Sequence, residues 1–347
     1  MIASAAAHKA KVLTPSGLEE VPLQDLPGVL AGLRAPGVEV TWVHCDPAAG
    51  VVQALDDMGL DEVGVRSLTD GPERPRVEEF SDHLYISLFC ADNVLQRKRK
   101  PPASPAQHLQ AGPASEQELQ LPRLNELRLF LGPRWLISVG RFHEADYQQL
   151  VERVRRQVFS RERGASFIAY HICEWMVETL QPALERLDDR IDSLEDQVVL
   201  ATSESSIQAL FGLKRDLVDL RRRVAPLRDV MQRLGSHGVL YVEHEAEVYF
   251  RDVHDDVMRV IELLDTYRDI LSSALDLHLS SVSNRLNRVM KQLAVVATLF
   301  MPLSFIVGLF GTNFVQMPFR SFAWFLVMFV LLFASLVAML IYTWRRT

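Results

Sequence analysis

The sequence predicts an α+β membrane protein: an N-terminal α/β domain, a helical region rich in acids, and a very long stalk helix that continues into the first of two C-terminal spans. Three observations carry this prediction. Residues 292–319 hold no charged side chain, and neither do residues 321–344. A bilayer core requires about 20 apolar residues in helix, so two such runs back to back form a membrane hairpin. Residues 239–301 contain neither glycine nor proline and carry a regular apolar repeat. Residues 1–140 instead contain short β-branched and aromatic runs of strand length.

In chain order, residues 1–140 form the α/β domain. Residues 39–45 (EVTWVHC) and 84–90 (LYISLFC) read as strands, the first closed by the turn signal Asp46-Pro47. Residues 124–131 and 135–139 read as a hairpin joined by Gly132-Pro133-Arg134. Between these strands, residues 96–122 contain five prolines and open on Arg97-Lys98-Arg99-Lys100. This segment reads as a mobile insertion, and its basic run as a solvated charge cluster before a lipid- or partner-binding one.

Residues 141–238 form the helical region. One amphipathic helix starts at Ala165 and continues into residues 180–201, where Glu185, Asp188, Asp189, Asp192, Glu195 and Asp196 cluster. Three- and four-residue spacing puts some of these acids on one face. They read either as a collector of divalent cations or as a solvated face partnered by Arg186 and Arg190. Residues 206–234 form another helix, bent or broken at Pro226, and Gly235-Ser236-His237-Gly238 ends it.

The stalk occupies residues 239–291. Val253, Val257, Val260, Leu264, Tyr267, Leu271, Leu275 and Leu279 recur at spacings of four and three, and Val282, Leu286, Val289, Leu293, Val296 and Phe300 extend the stripe. That is the pattern of a helix packed in a bundle. About 60 residues at 1.5 Å each span roughly 90 Å, enough to run from an aqueous domain into the bilayer. A second stripe comprises Asp276, Ser280, Ser283, Asn287, Met290, Leu293 or Ala294, Ala297, Met301, Ser304, Gly308 and Thr312. These side chains are small, polar or flexible. Such a face suits a water-filled axis or close helix packing better than lipid.

The first span occupies residues 292–313 and ends in Gly311-Thr312-Asn313. An uncharged outer loop follows at 314–319, with Arg320 at its end, then a second span at 321–344 and a basic tail at 345–347. An Asn there either caps the helix or, repeated around a symmetry axis, presents a ring of amide oxygens to a hydrated Mg2+.

Charge separates the two parts of the chain. Residues 276–347 set Asp276 against six bases, a net +5, so residues 1–275 carry −12 of the total −7. This balance gives no basic surface for nucleic acid, while an acidic domain beside a membrane attracts cations. Arg285, Arg288 and Lys291 precede the hairpin and Arg345 and Arg346 follow it, so both termini are expected in the cytoplasm. No apolar leader is expected to be cleaved, and Cys45, Cys90 and Cys173 are too scattered for a disulfide framework or a zinc cluster. An ordinary soluble enzyme and a large multi-span transporter are both excluded. No Ser/His/Asp signature, phosphate-cradling glycine loop or HExxH helix is present; His244-Glu245 lacks the second histidine. A non-enzyme is expected.

Several motifs in order now resemble the CorA family of divalent-cation channels. They are Tyr249-Phe250-Arg251-Asp252-Val253, Tyr267-Arg268-Asp269-Ile270, Leu279-Ser280-Ser281-Val282-Ser283-Asn284, Phe300-Met301-Pro302-Leu303-Ser304-Phe305-Ile306, Gly311-Thr312-Asn313-Phe314 and Met317-Pro318. The resemblance is strongest over residues 245–318. It implies a funnel-shaped homopentamer in membrane lipid, carrying Mg2+ and Co2+, with Ni2+ or Zn2+ as further candidate substrates; the two-span architecture and the lack of an obvious targeting peptide favour a bacterial inner membrane. It implies a selectivity filter of Gly311, Thr312 and Asn313. Asn287, Met290, Leu293, Met301, Ser304 and Gly308 would line or constrict the pore, with Asp276 near its inner mouth. It also implies regulatory Mg2+ held between adjacent subunits by Asp252 and Asp92, closing the pore when internal Mg2+ is high. A salt bridge of Asp252 with Arg251 or Arg259 is the competing assignment.

Two residues depart from the family pattern. Thr312 stands where the family's filter carries Met, and Met317-Pro318 is followed by Phe319-Arg320 where an acid is usual. The zinc-carrying ZntB branch is therefore the alternative for the ion, although the second stripe offers no His or Cys. A membrane sensor or scaffold with a degenerate pore is the alternative of another class.

Overall fold

The computed structural model describes residues 9–69, 71, 73–92, 123–200, 204–311 and 322–346. The chain divides into two compact units. One holds residues up to Gln197 with Glu204–Ser272, and the other holds Val198–Ser203 with Ser273–Thr347. The insertion at 96–122, Thr312, Asn313 and the outer loop at 314–320 lie outside the described residues.

The first unit is built on a seven-stranded sheet of β1 (Lys9–Thr14), β2 (Gly17–Pro22), β3 (Thr41–Cys45), β4 (Arg76–Glu79), β5 (Leu84–Asp92), β6 (Arg123–Leu131) and β7 (Trp135–Gly140). Their order is β2-β1-β3-β7-β6-β5-β4. β3 and β7 run parallel, with Thr41 opposite Trp135, and the other neighbouring pairs are antiparallel. β6 and β7 form a tight hairpin in which the Gly132 N–H donates to the Trp135 carbonyl at 2.9 Å. A Cβ at position 132 would lie 2.1 Å from the Trp135 ring, so the turn requires glycine.

Every residue of β3 is buried, and its alternation assigns the two sheet faces. Val43 and Cys45 join Ile137 and Val139 under α1 (Leu26–Gly32), α2 (Ala49–Asp57) and α3 (Glu62–Arg66), where Leu30, Leu55 and Val65 complete one core. Trp42 and His44 point the other way. The Trp42 indole donates to Ser138 Oγ at 2.9 Å and packs on Tyr147 of α4 (Glu144–Gln157) at 5.3 Å between ring centres. The cysteines form no disulfide, and burial pushes the Cys45 thiol up to about 12.

α5 (Ala165–Leu200) covers this second face, and its Thr179 hydroxyl accepts the Ala91 N–H at 3.0 Å. Pro182 lies inside α5 and Pro226 inside α6 (Glu204–Leu234), yet both helices continue through them. An interior proline costs about 3 kcal/mol in an isolated helix. Here the buried stripes Ala183-Leu184-Leu187 and Val224-Leu227-Met231 offset that loss.

α7 (His244–Phe310) is one helix of 67 residues. It begins five residues later than the glycine-free run suggests, because residues 239–243 form a turn with Tyr241 left-handed at φ 61°. In the first unit its Phe250, Val253, Val257, Val260, Leu264, Tyr267 and Leu271 are buried at heptad spacing. Arg221 of α6 clasps Asp265 of α7 through two hydrogen bonds of 2.5 and 3.0 Å. Those bonds hold the Asp265 carboxyl below its usual range. The second unit contains the rest of α7 and α8 (Phe322–Arg346), and both helices are long and apolar enough to cross a membrane.

Candidate ion pathway

The polar stripe maps onto the part of α7 that belongs to the second unit. Asp276, Ser280, Ser283, Asn287, Met290, Leu293, Ala297, Met301, Ser304 and Gly308 are all exposed. Heptad positions drift about 20° per heptad on a straight helix, so Ser304 lies roughly 80° around from Asp276 and Leu293 falls on the stripe's edge. A left-handed supercoil removes that drift and keeps such a stripe on one axis.

From residue 292 onward, the partly covered residues of the same helix are Val295, Leu299, Pro302, Leu303 and Ile306. They recur at helical spacing and fall on roughly the opposite side of α7, at ~100° per residue. On α8 the partly covered residues are Met328, Leu332, Ser335, Leu336, Val337 and Met339. An apolar groove lined by Leu303, Phe329, Leu332, Phe333 and Leu336 joins the two helices. α8 therefore takes one side of α7 and leaves the polar stripe open. Sequence reading singled out the stripe and missed this packing face, although large apolar residues at 299, 303 and 306 marked it.

The second side of the bundle pattern is also uncovered within one chain. Leu279, Leu286, Val289, Val296 and Phe300 continue the repeat that is buried as far as Leu271, yet each is about half to two-thirds exposed. At position 308 a Cβ would meet nothing within 4 Å, so no contact inside this chain requires that glycine. Gly311 follows the last helical turn, and its N–H donates to the Val307 carbonyl at 2.9 Å. Thr312 and Asn313, the rest of the expected filter, lie outside the described residues. Pro302 withdraws the donor that the Thr298 carbonyl would otherwise receive, a local weakening of the span.

In the first unit, Asp252 is exposed on α7. Among the described residues it has no ion pair; Arg259 pairs with Asp256 instead. Beside it, the Tyr170 hydroxyl donates to Glu174 at 2.7 Å, and Arg153 reaches Glu174 at 3.0 Å and Glu178 at 3.1 Å. Burial, the bond to Glu174 and the charges of Glu174 and Asp252 all push the Tyr170 phenol up. Asp92 ends β5 in register with Arg123. The acids of α5 are not merely solvated, since Asp188 is hydrogen-bonded to the Tyr267 phenol of α7.

Three comparisons set this geometry among known proteins. The profile of the CorA-like Mg2+ transporter protein family matches residues 38–346. The cobalt/magnesium transport protein CorA of Thermotoga maritima is 32% identical over 291 residues, covering 83% of this chain and 75% of that protein. A zinc transport protein ZntB of Photorhabdus laumondii is 26% identical over 216 residues, covering 60% of this chain and 63% of its own. The complete structure of the CorA magnesium transporter from Methanocaldococcus jannaschii superposes with a TM-score of 0.73 at 20% identity, covering 100% of this chain and 99% of that one. It shares an N-terminal α/β domain followed by two C-terminal apolar helices. On the family profile and the Thermotoga maritima relative, this chain belongs to the CorA-like Mg2+ transporter family.

Proposed function

We propose that the protein is a passive, gated divalent-cation channel carrying Mg2+ and Co2+ across the inner membrane of a bacterium, with both termini in the cytoplasm. The observation that carries the reading is the two-sided segment of α7: α8 packs on one side, and a stripe of small, polar and flexible residues is left open on the other. Five copies of that stripe around an axis form a water-filled path. The exposed apolar repeat from Leu279 to Phe300 supplies the contacts between copies. Hydrated Mg2+ yields its water reluctantly, so amide and backbone oxygens at Gly311, Thr312 and Asn313 select it through its hydration shell.

Gating follows from the uncompensated acids. Asp252, left without an ion pair among the described residues, is available to share a cation with Asp92 of a neighbouring copy. Mg2+ bound there draws neighbours together and closes the path, and its loss leaves like charges facing one another. Cation entry passes no acidic ring, because the outer loop ends on Arg320 and has no acid.

The test is ion flux into liposomes containing the purified protein, with Mg2+, Co2+, Ni2+ and Zn2+ assayed separately. Mg2+ and Co2+ flux that falls with Asn313→Ala and slows with Mg2+ on the domain side supports the reading. Zn2+ flux without Mg2+ flux moves the protein to the zinc branch, and no flux at all favours a sensor.

A further inference from the structure

The turn between α6 and α7 folds a histidine over the start of the long helix. His237 Nδ1 lies 2.6 Å from Glu247 Oε2, and His244 Nδ1 lies 3.0 Å from the same oxygen. The two imidazoles stack at 5.1 Å between centres, with 26° between their planes. One ligand atom from each of the three residues lies within 4.8 Å of the others, and among the described residues no other group of this kind occurs. The cluster falls entirely within the first unit.

The burial is uneven in an informative way. The Glu247 side chain is only 4% exposed, while His237 and His244 are 72% and 79% exposed. Among the described residues no Lys or Arg pairs with Glu247. A buried carboxylate lacking a fixed cation carries a large desolvation penalty. The helix N-terminus relieves part of it, and the two imidazoles are its remaining polar partners.

We propose that His237, His244 and Glu247 bind a divalent transition-metal cation of the Zn2+, Co2+ or Ni2+ class. Imidazole nitrogen favours these ions, whereas Mg2+ takes oxygen ligands. Bonds of about 2.0–2.1 Å from a tetrahedral ion place its ligand atoms roughly 3.3 Å apart, so the 2.6 and 3.0 Å separations would open by about 0.7 and 0.3 Å. Each histidine would ligate through Nδ1 as the neutral Nε2–H tautomer. Three protein ligands leave one position for water, and the exposed imidazoles let the ion exchange with solvent. The site is distinct from Asp252 and Asp92 and does not depend on which ion crosses the membrane. Bound there, a cation fastens the α6–α7 turn to the first turn of α7.

The site is tested on the full-length protein in detergent, free of any histidine tag, titrated with Co2+ in excess Mg2+. The excess Mg2+ occupies oxygen-ligand sites, and Co2+ reports through its visible absorption. We expect one Co2+ per chain, displaced by Zn2+, with affinity lowered at least about tenfold in His237→Ala and in His244→Gln, since even outer-shell partners are worth 10–100-fold. Both side chains are exposed, so the variants should keep the wild-type circular dichroism, and either one alone decides the question. Co2+ binding that is unchanged in the variants, or abolished by excess Mg2+, would overturn the assignment.

Discussion

Met301 and Leu303 stand two residues apart on α7 and face opposite ways. Met301 is 74% exposed on the polar stripe, whereas Leu303 lines the apolar groove with Phe329, Leu332, Phe333 and Leu336 of α8. A span with α8 on one side and a polar stripe open on the other is the arrangement expected of a helix that borders an ion path.

Position 308 separates a pore role from a packing role. Beyond its chain neighbours and its own helix backbone, nothing lies within 4 Å of a Cβ placed there, and alanine is about 1 kcal/mol better than glycine inside a helix. Gly308→Ala should therefore fold at least as well as the parent while conducting more slowly, because its added methyl groups narrow the path. Liposome flux measured beside thermal unfolding checks this; unchanged flux would place Gly308 away from the ions.

The heptad stripe should divide into two classes of mutation. Leu271 is fully buried within the first unit, so Leu271→Ala should cost about 2–5 kcal/mol of its stability. Leu286 is 60% exposed in a single chain, so Leu286→Ala should leave that unit's unfolding unchanged and instead weaken association between copies. Thermal melts paired with mass measurement in detergent distinguish the two.

His44 supplies a pH dependence. It is packed among Trp42, Phe142 and Tyr147, hydrogen-bonded to Ser138, with Lys11 and Glu144 close by. Burial first, then the charge of Lys11, lowers its pKa from 6.5 to about 3. The unfolded chain thus binds a proton that the folded one refuses between those values, and stability is lost as pH falls from about 6.5 towards 3. Chemical unfolding followed across that window should show the loss, and His44→Gln should flatten it.

Arg221 and Asp265 add a weaker acid-sensitive link between α6 and α7. The hydrogen bonds from Arg221 depress the Asp265 pKa, so this contribution is present above the ordinary Asp range and disappears as pH falls through the lowered value. Both side chains are about a third or more exposed, which confines the effect to roughly 0.2–1 kcal/mol. Asp265→Asn at neutral pH should destabilise by that amount, and by nothing once the pH lies below the folded-state value.

What was legible in the sequence follows from how local each signal is. The long helix, the two spans and the strands at 41–45, 84–92, 123–131 and 135–140 each announce themselves within one window of residues. β2 (GLEEVP) and β4 (RVEE) do not, because edge strands carry exposed Glu and Arg in place of a clean alternation. Pro226 reads as a bend or a break, yet neighbouring buried leucines carry α6 through it unbroken. The polar stripe is visible as a heptad, while the face covered by α8 depends on which side the second span returns. The His237–His244–Glu247 cluster was missed for a related reason. His244-Glu245 lacks a second histidine along its own helix, and the partner comes from across a turn with left-handed Gly238 and Tyr241.

We propose that ions cross along the α7 stripe and through Gly311, Thr312 and Asn313. The most direct measurement is Mg2+ entry into proteoliposomes for the parent protein and Asn313→Ala at equal, verified incorporation. Entry should be rapid for the parent and mostly lost in the variant. Equal entry in both would contradict the proposal.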